Sequence, residues 1–465
     1  MRGEDPRRRR FRILGLALWS LAMLALGVGL GAWLTASRAV PAAEDGADSV
    51  CSSSLTESSE GLDAEAGSEA EASQPAAEQP EDQEEDQTAE ATDSSAASES
   101  GVEPEDPEFT REEAITAQAQ ELLDSMTLAE QVYQMFIVTP ETLTGVSTVT
   151  QAGATTQAAL QSHPVGGLVY FAANIVTPEQ CTTMISNTQS YSKIGLFIAV
   201  DEEGGRVARI GKNSAMGTTA FPSMSDIGST GDVSKAYEVG STIGTEIAQF
   251  GFNLDFAPVA DVNSNPNNTV IGDRAFGSDP EAVAEMVASA VQGFQDSGML
   301  CTLKHFPGHG DTDTDSHYGY TEVLKTLQEL RSVEFLPFQA GIDAGADFVM
   351  MGHISVPEVT GDDTPASLSA TMITILRDEL NFQGLVITDS MVMSAITDRY
   401  TSAQAAVLAV QAGVDVILEP SSLTGAVQGI LSAVEDGTIS EERIRESVLK
   451  ILEVKIRNGI IASEF

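Results

Sequence analysis

Cysteine is nearly absent from this chain: Cys51, Cys181 and Cys301 are scattered over 465 residues, too few and too far apart for a disulfide framework. Positive charge is scarce as well. Only 24 lysines and arginines face 69 aspartates and glutamates, for a formal net charge of −45; such a surface repels a phosphate backbone, which excludes nucleic acid as a partner. Between Pro41 and Glu108 there is no lysine, no arginine and no aromatic residue, while Asp, Glu, Ser, Ala and Gln dominate. A segment of that kind cannot bury enough apolar surface to offset its chain entropy, and its like charges repel. Residues 35–109 therefore read as a disordered, solvated acidic linker.

What precedes the linker is its opposite. Residues 1–12 carry Arg7, Arg8, Arg9, Arg10 and Arg12, and then Ile13 to Leu34 run without a charge, long enough as a helix for a hydrocarbon core that takes about 20 residues to cross. A cleaved signal would have a shorter apolar stretch, of roughly 7–15 residues. The reading is a single-pass membrane anchor over 13–34, with the basic segment 1–12 in the cytoplasm and the remainder outside; if the small residues that follow allow cleavage, the product is secreted.

From residue 110 to residue 465 short apolar runs alternate with helical segments such as Val233–Phe250, Pro280–Gly298 and Tyr400–Ala412, the pattern of a parallel sheet with crossover helices. Eight runs occur in order: QMFIV (Gln134–Val138), GGLVYF (Gly166–Phe171), LFIAVD (Leu196–Asp201), FNLDFAPVAD (Phe252–Asp261), MLCTLKHF (Met299–Phe306), DFVMMGH (Asp347–His353), GLVITDS (Gly384–Ser390) and VDVILEP (Val414–Pro420). Eight such units in roughly this length define an α/β fold, a (β/α)8 TIM-type barrel. Six runs end in a polar side chain: Asp201, Asp261, Lys304 with His305, His353, Asp389 and Glu419. In a parallel barrel those ends meet on the one face where sites are built. Buried charges need partners, so six charged or polar ends point to a site and not to strand termination alone.

The stretch KHFPGHGDTDTDSH, Lys304 to His317, holds three of the five histidines. Pro307 and Gly308 force a turn between His305 and His309, so the two do not share a helical face as a zinc-binding HExxH pair does. Asp311, Asp313, Asp315 and Glu322 fall at the first, third, fifth and twelfth places of a calcium loop, but Ser316 stands where that loop needs glycine. The remaining reading is acid/base chemistry. A carboxylate two residues before a histidine in extended chain, as in Asp315-Ser316-His317, can hold one imidazole nitrogen and leave the other for proton transfer.

Together with DEEGGRVARI (Asp201–Ile210), IGDRAFGSDP (Ile271–Pro280) and VITDSMVM (Val386–Met393), this stretch resembles the motifs of family 3 glycoside hydrolases, in particular their single-domain β-N-acetylglucosaminidase branch. The resemblance covers nearly all of 110–465. It implies that Asp389 is the nucleophile, that His317 is the general acid/base oriented by Asp315, and that Asp201, Arg209, Arg274, Lys304 and His305 bind the hydroxyls of the sugar. Asp261 and His353 join them as further candidates from strand-end position. No metal and no organic cofactor is required. The implied activity is retaining hydrolysis of terminal GlcNAc from cell-wall or chitin-type oligosaccharides. Phosphorolysis, β-glucosidase activity and a non-enzymatic carbohydrate-binding module remain the alternatives.

Overall fold

The computed structural model describes residues 110–312, 315–316 and 319–465. The basic segment, the apolar run over 13–34, the acidic linker and His317 lie outside the described residues. Among the described residues, no helix is long and apolar enough to cross a membrane.

Ten strands are present: β1 (Phe136–Val138), β2 (Gly167–Val169), β3 (Phe197–Val200), β4 (Glu202–Gly204), β5 (Val207–Ala208), β6 (Leu254–Asp255), β7 (Leu300–Phe306), β8 (Phe348–Met351), β9 (Leu385–Thr388) and β10 (Ile417–Leu418). Eight form one parallel sheet in the order β10-β1-β2-β3-β6-β7-β8-β9, and a parallel bridge between Ile387 and Val416 brings β9 back to β10. The expected barrel is thus present, with one narrow seam. The antiparallel hairpin β4–β5 stands apart from it, directly after β3. Every barrel strand is buried along its full length, as expected where helices cover the outer face and side chains fill the interior.

Two strands are shorter than their apolar runs. The fourth run pairs only over Leu254–Asp255 and touches β7 again at Val259, because Pro258 has no N–H for the ladder. The eighth shrinks to Ile417–Leu418; one step earlier the Asp415 carboxylate accepts the Val386 N–H at 3.1 Å, so a side chain replaces a strand contact.

Local chemistry sets the helices. Thr110 and Glu113 form a capping box ahead of Arg111–Asp124, and Asp279 caps the helix Pro280–Ser297 with proline at its first turn, as helix N-termini prefer. That helix lies hard against Val233–Ala248 through reciprocal glycines. A Cβ on Gly240 would fall 2.2 Å from the Ala290 carbonyl oxygen, and one on Gly293 would fall 2.3 Å from that of Tyr237. At the amino-terminal ends of the strands the last helix, Glu441–Arg457, inserts Lys455. Its ammonium donates to Gln134 Oε1 at 2.9 Å and lies 4.9 Å from the centre of the Phe197 ring, and burial lowers it to about 7.

Candidate active site

The carboxyl ends of the strands surround a cavity of about 360 Å³ lined by Asp201, Glu203, Arg209, Arg274, Lys304, His305, Asp389 and Glu419, with Phe171, Val207 and Val392 among its apolar walls. Six of these eight polar groups are at ends of the barrel strands or on the β4–β5 hairpin. Lys304 is placed by β7. Its Nζ lies 2.7 Å from Asp201 Oδ1 and 2.6 Å from Glu203 Oε1. Arg274, on the loop after β6, grips Glu203 with two N–H groups at 2.8 Å each, the bidentate fork that suits guanidinium to carboxylate. Arg209 approaches Asp201 at 3.6 Å and lies 5.6 Å from the centre of the Phe171 ring.

These contacts set the charge states. Burial alone would lower Lys304, but Asp201 and Glu203 hold it above its ordinary value. Burial works against ionised Glu203, yet Arg274 and Lys304 overcome it and keep the carboxyl far below the usual carboxylate range. Arg274 is likewise held cationic against burial by Glu203. The result is a rigid polar floor in which both cations already share their protons with carboxylates.

Asp389 ends β9. Its N–H donates to the Met351 carbonyl at 2.9 Å and its Oδ1 accepts the Ser390 N–H at 2.7 Å, which fixes the carboxylate against the cavity. Asp261 and His353 do not line that cavity; both stand one layer behind it. Asp261 is buried and accepts the backbone N–H of His305 at 3.2 Å and of His309 at 2.6 Å, and its Oδ2 lies 2.8 Å from His305 Nδ1. A carboxylate there makes Nδ1 the donor and leaves Nε2 as the nitrogen that His305 offers to a ligand. His353 bonds Ser367 Oγ at 2.8 Å and the Ser390 carbonyl at 3.0 Å. Since a carbonyl only accepts, Nε2 carries the hydrogen, and His353 holds the chain that follows Asp389. Both candidates from strand-end position thus hold residues that reach the cavity.

Of the Asp315/His317 pair, Asp315 is described and partly buried, while His317 lies outside the described residues. The residue between them ties the loop down. Ser316 bonds His309 Nε2 at 3.0 Å and accepts the Ala395 N–H at 3.3 Å, which joins the loop after β7 to the one carrying Asp389. His309 is a loop brace, bonded to Thr312 Oγ1 at 2.8 Å and lowered by burial to about 4, hence neutral. In the same loop, Asp311 engages Ser264 at 2.9 Å and Lys325 at 3.4 Å.

Two residues were given too little weight in the sequence. Glu203 carries no assigned role there, although two places after Asp201 in an extended segment it falls on the same face. Glu419 ends the eighth run but carries no assigned role.

A parallel eight-stranded barrel with a pocket of carboxylates, cations and imidazole at the carboxyl ends of its strands defines a (β/α)8 barrel protein with its site in the usual place for that fold. Residues 127–454 match the glycosyl hydrolase family 3 N terminal domain, and the chain belongs to that family. Beta-hexosaminidase A of Pseudoalteromonas piscicida is 34% identical over 328 residues, covering 64% of this chain and 54% of that protein. A beta-hexosaminidase of Idiomarina loihiensis is 35% identical over 274 residues, 58% of this chain and 80% of its own. Among solved structures, a glycoside hydrolase family 3 beta-N-acetylglucosaminidase from Paenibacillus sp. superposes with a TM-score of 0.68 at 37% identity, covering 73% of this chain and 64% of that one. The chain thus spans about half of the first relative and about two thirds of the solved structure.

Proposed function

We propose that this protein is a retaining exo-β-N-acetylglucosaminidase that removes terminal, non-reducing GlcNAc from cell-wall or chitin-type oligosaccharides. One observation carries the reading: Asp389 shares a saccharide-sized cavity with the Asp201–Lys304–Glu203–Arg274 floor, in a family whose relatives here bear hexosaminidase names. Asp389 attacks the anomeric carbon and forms a covalent glycosyl ester, while His317, oriented by Asp315, protonates the departing oxygen and later takes a proton from water. Two displacements return the original configuration. A histidine reaches a suitable proton affinity near neutral pH with little perturbation, and a loop position lets it act once substrate is in place. Lys304, Arg274, His305 Nε2 and Asp201 fix the ring through its hydroxyls, contacts that gain strength as the ring flattens. On sequence alone, residues 13–34 hold the enzyme to the membrane with the barrel outside, and the acidic linker spaces it from the surface.

The test is turnover by the full chain of the 4-nitrophenyl β-glycosides of GlcNAc and glucose, with and without phosphate, with the anomer of the first product read by NMR. Preference for the acetamido sugar and β-GlcNAc as first product support the proposal. A sugar 1-phosphate moves it to phosphorolysis, preference for glucose to a β-glucosidase, and no cleavage of either to a binding module.

A further inference from the structure

Glu419 closes the last barrel strand, yet the reaction proposed above leaves it idle. Its carboxyl group lines the same cavity as Asp201, Arg209 and Asp389. The backbone there is unusual. Glu419 has a φ of +46°, a left-handed conformation that L-residues rarely adopt, and it precedes Pro420, where extended chain is the norm. Among the described non-glycine residues only Asn381 shares a positive φ. The chain retains this strain where β10 meets the cavity.

The charges around it make the second observation. Asp201 comes from the end of β3, Glu203 and Arg209 from the β4–β5 hairpin and its end, Arg274 from the loop after β6, Lys304 and His305 from β7, and Asp389 from β9. Three cations, Arg209, Arg274 and Lys304, balance three carboxylates, Asp201, Glu203 and Asp389. Glu419 is the fourth carboxylate, and no ion pair joins it to a lysine or arginine among the described residues. Two of the three cations are also largely spent as hydrogen-bond donors. Lys304 gives two of its three hydrogens to Asp201 and Glu203, and Arg274 gives Nε and one terminal nitrogen to Glu203 and the other to the Val270 carbonyl. Arg209, whose Nε has no hydrogen-bond partner, is an open donor in this lining, and a protonated carboxyl beside the acidic groups adds a donor that can also accept, as a sugar hydroxyl does.

We propose that Glu419 is a substrate-binding residue that works in its protonated form, donating its carboxyl hydrogen to the bound sugar, so that sugar binding and proton uptake are linked. The inference deepens the glycosidase reading and rests on it. Burial raises this carboxyl to about 7, with Asp201 and Asp389 adding to the rise and the Ser390 hydroxyl and Arg209 opposing it. The proton is therefore available near neutral pH. When it leaves, the cavity loses a donor and gains a negative charge beside Asp389.

The test compares kcat/KM for 4-nitrophenyl β-N-acetylglucosaminide from about pH 5 to about pH 9 for the full-length protein and Glu419→Gln, an activated substrate that needs little help from the general acid. The wild type loses kcat/KM above about pH 7 with a one-proton slope, chiefly through KM, whereas Glu419→Gln, which keeps a donor and cannot ionise, holds its low-pH value within about threefold. Glu419→Met, lacking both donor and charge, has a raised KM at every pH. Calorimetry of GlcNAc binding in buffers of different ionisation heat finds proton uptake near neutral pH by the wild type and none by the Gln variant. An unchanged alkaline limb in Glu419→Gln overturns the proposal, as does a Gln variant impaired at all pH values beside a wild type that improves as pH rises. A wild type that cleaves nothing but binds GlcNAc with proton uptake sinks the glycosidase reading and leaves the role of Glu419 standing.

Discussion

Lys304 Nζ stands 2.6 Å from Glu203 Oε1 with only 2% of either side chain exposed, and Arg274 closes on the same carboxylate from the other side. Three charges taken out of water at one point hold only while each has its partners; removing one from such a group costs about 3–5 kcal/mol. Glu203→Leu should lose stability of that order in urea unfolding, and so should Lys304→Ala. A loss below about 1 kcal/mol in both, the range of an exposed pair, would show that the floor of the pocket does not depend on this network.

Asp389→Asn should fold as the parent does and lose about 10⁴-fold or more in kcat, as expected when a nucleophile is removed from a catalytic unit. Activity within about tenfold of the parent would reject Asp389 as the nucleophile.

His317→Ala should separate substrates by leaving group. General acid catalysis is worth about 10²–10⁴-fold, and that loss should appear with GlcNAc disaccharides, whose leaving alcohol needs a proton, and be far smaller in kcat/KM for a 4-nitrophenyl glycoside. Equal losses on both would mean that His317 only positions the loop after β7.

Lys455 ties stability to pH. Its ammonium is lowered by burial from 10.5 to about 7 in the folded protein, so between those values the unfolded chain binds more protons and stability rises with pH, by at most about 1.4 kcal/mol per unit. Below about 7 the full cost of a buried charge is present. Lys455→Met should flatten the dependence between pH 7 and 10 and stabilise the protein most at its acidic end; urea midpoints across that range decide the matter. A slope identical to the parent's would show that Lys455 keeps its proton inside the fold.

EDTA should leave turnover and Tm unchanged. Asp311, the first ligand of the calcium reading, is engaged by Ser264 at 2.9 Å and Lys325 at 3.4 Å, and among the described residues no cluster of histidine, cysteine and carboxylate groups is arranged to hold a metal. A fall of several degrees on chelation would revive the loop as an ion site.

The barrel was legible because its cause is local. Runs such as FIAV and FVMM are apolar throughout, since both faces of a parallel strand are covered, and the helices between them carry their own start signals, such as Asp279-Pro280. Of the residues at strand ends, Asp201, Lys304, His305, Asp389 and Glu419 line the cavity. Asp261 and His353 stand behind it. Position at a strand end says which face of the barrel a residue belongs to, but past the last ladder bond the chain no longer alternates regularly, and where a side chain points is decided by what packs against it.

By itself the sequence determined the order of strands and helices, the face on which the site is built and the acidic character of the chain, because these follow from hydrophobic period, turn residues and composition. Only the tertiary structure decided how the charges are shared. Glu203 meets Arg274 across 71 residues and Asp201 meets Lys304 across 103, while Glu419 lines the same cavity with no ion pair to a lysine or arginine among the described residues. Such pairings depend on distances of a few ångströms in a poorly screened pocket, and closure of the barrel sets those distances.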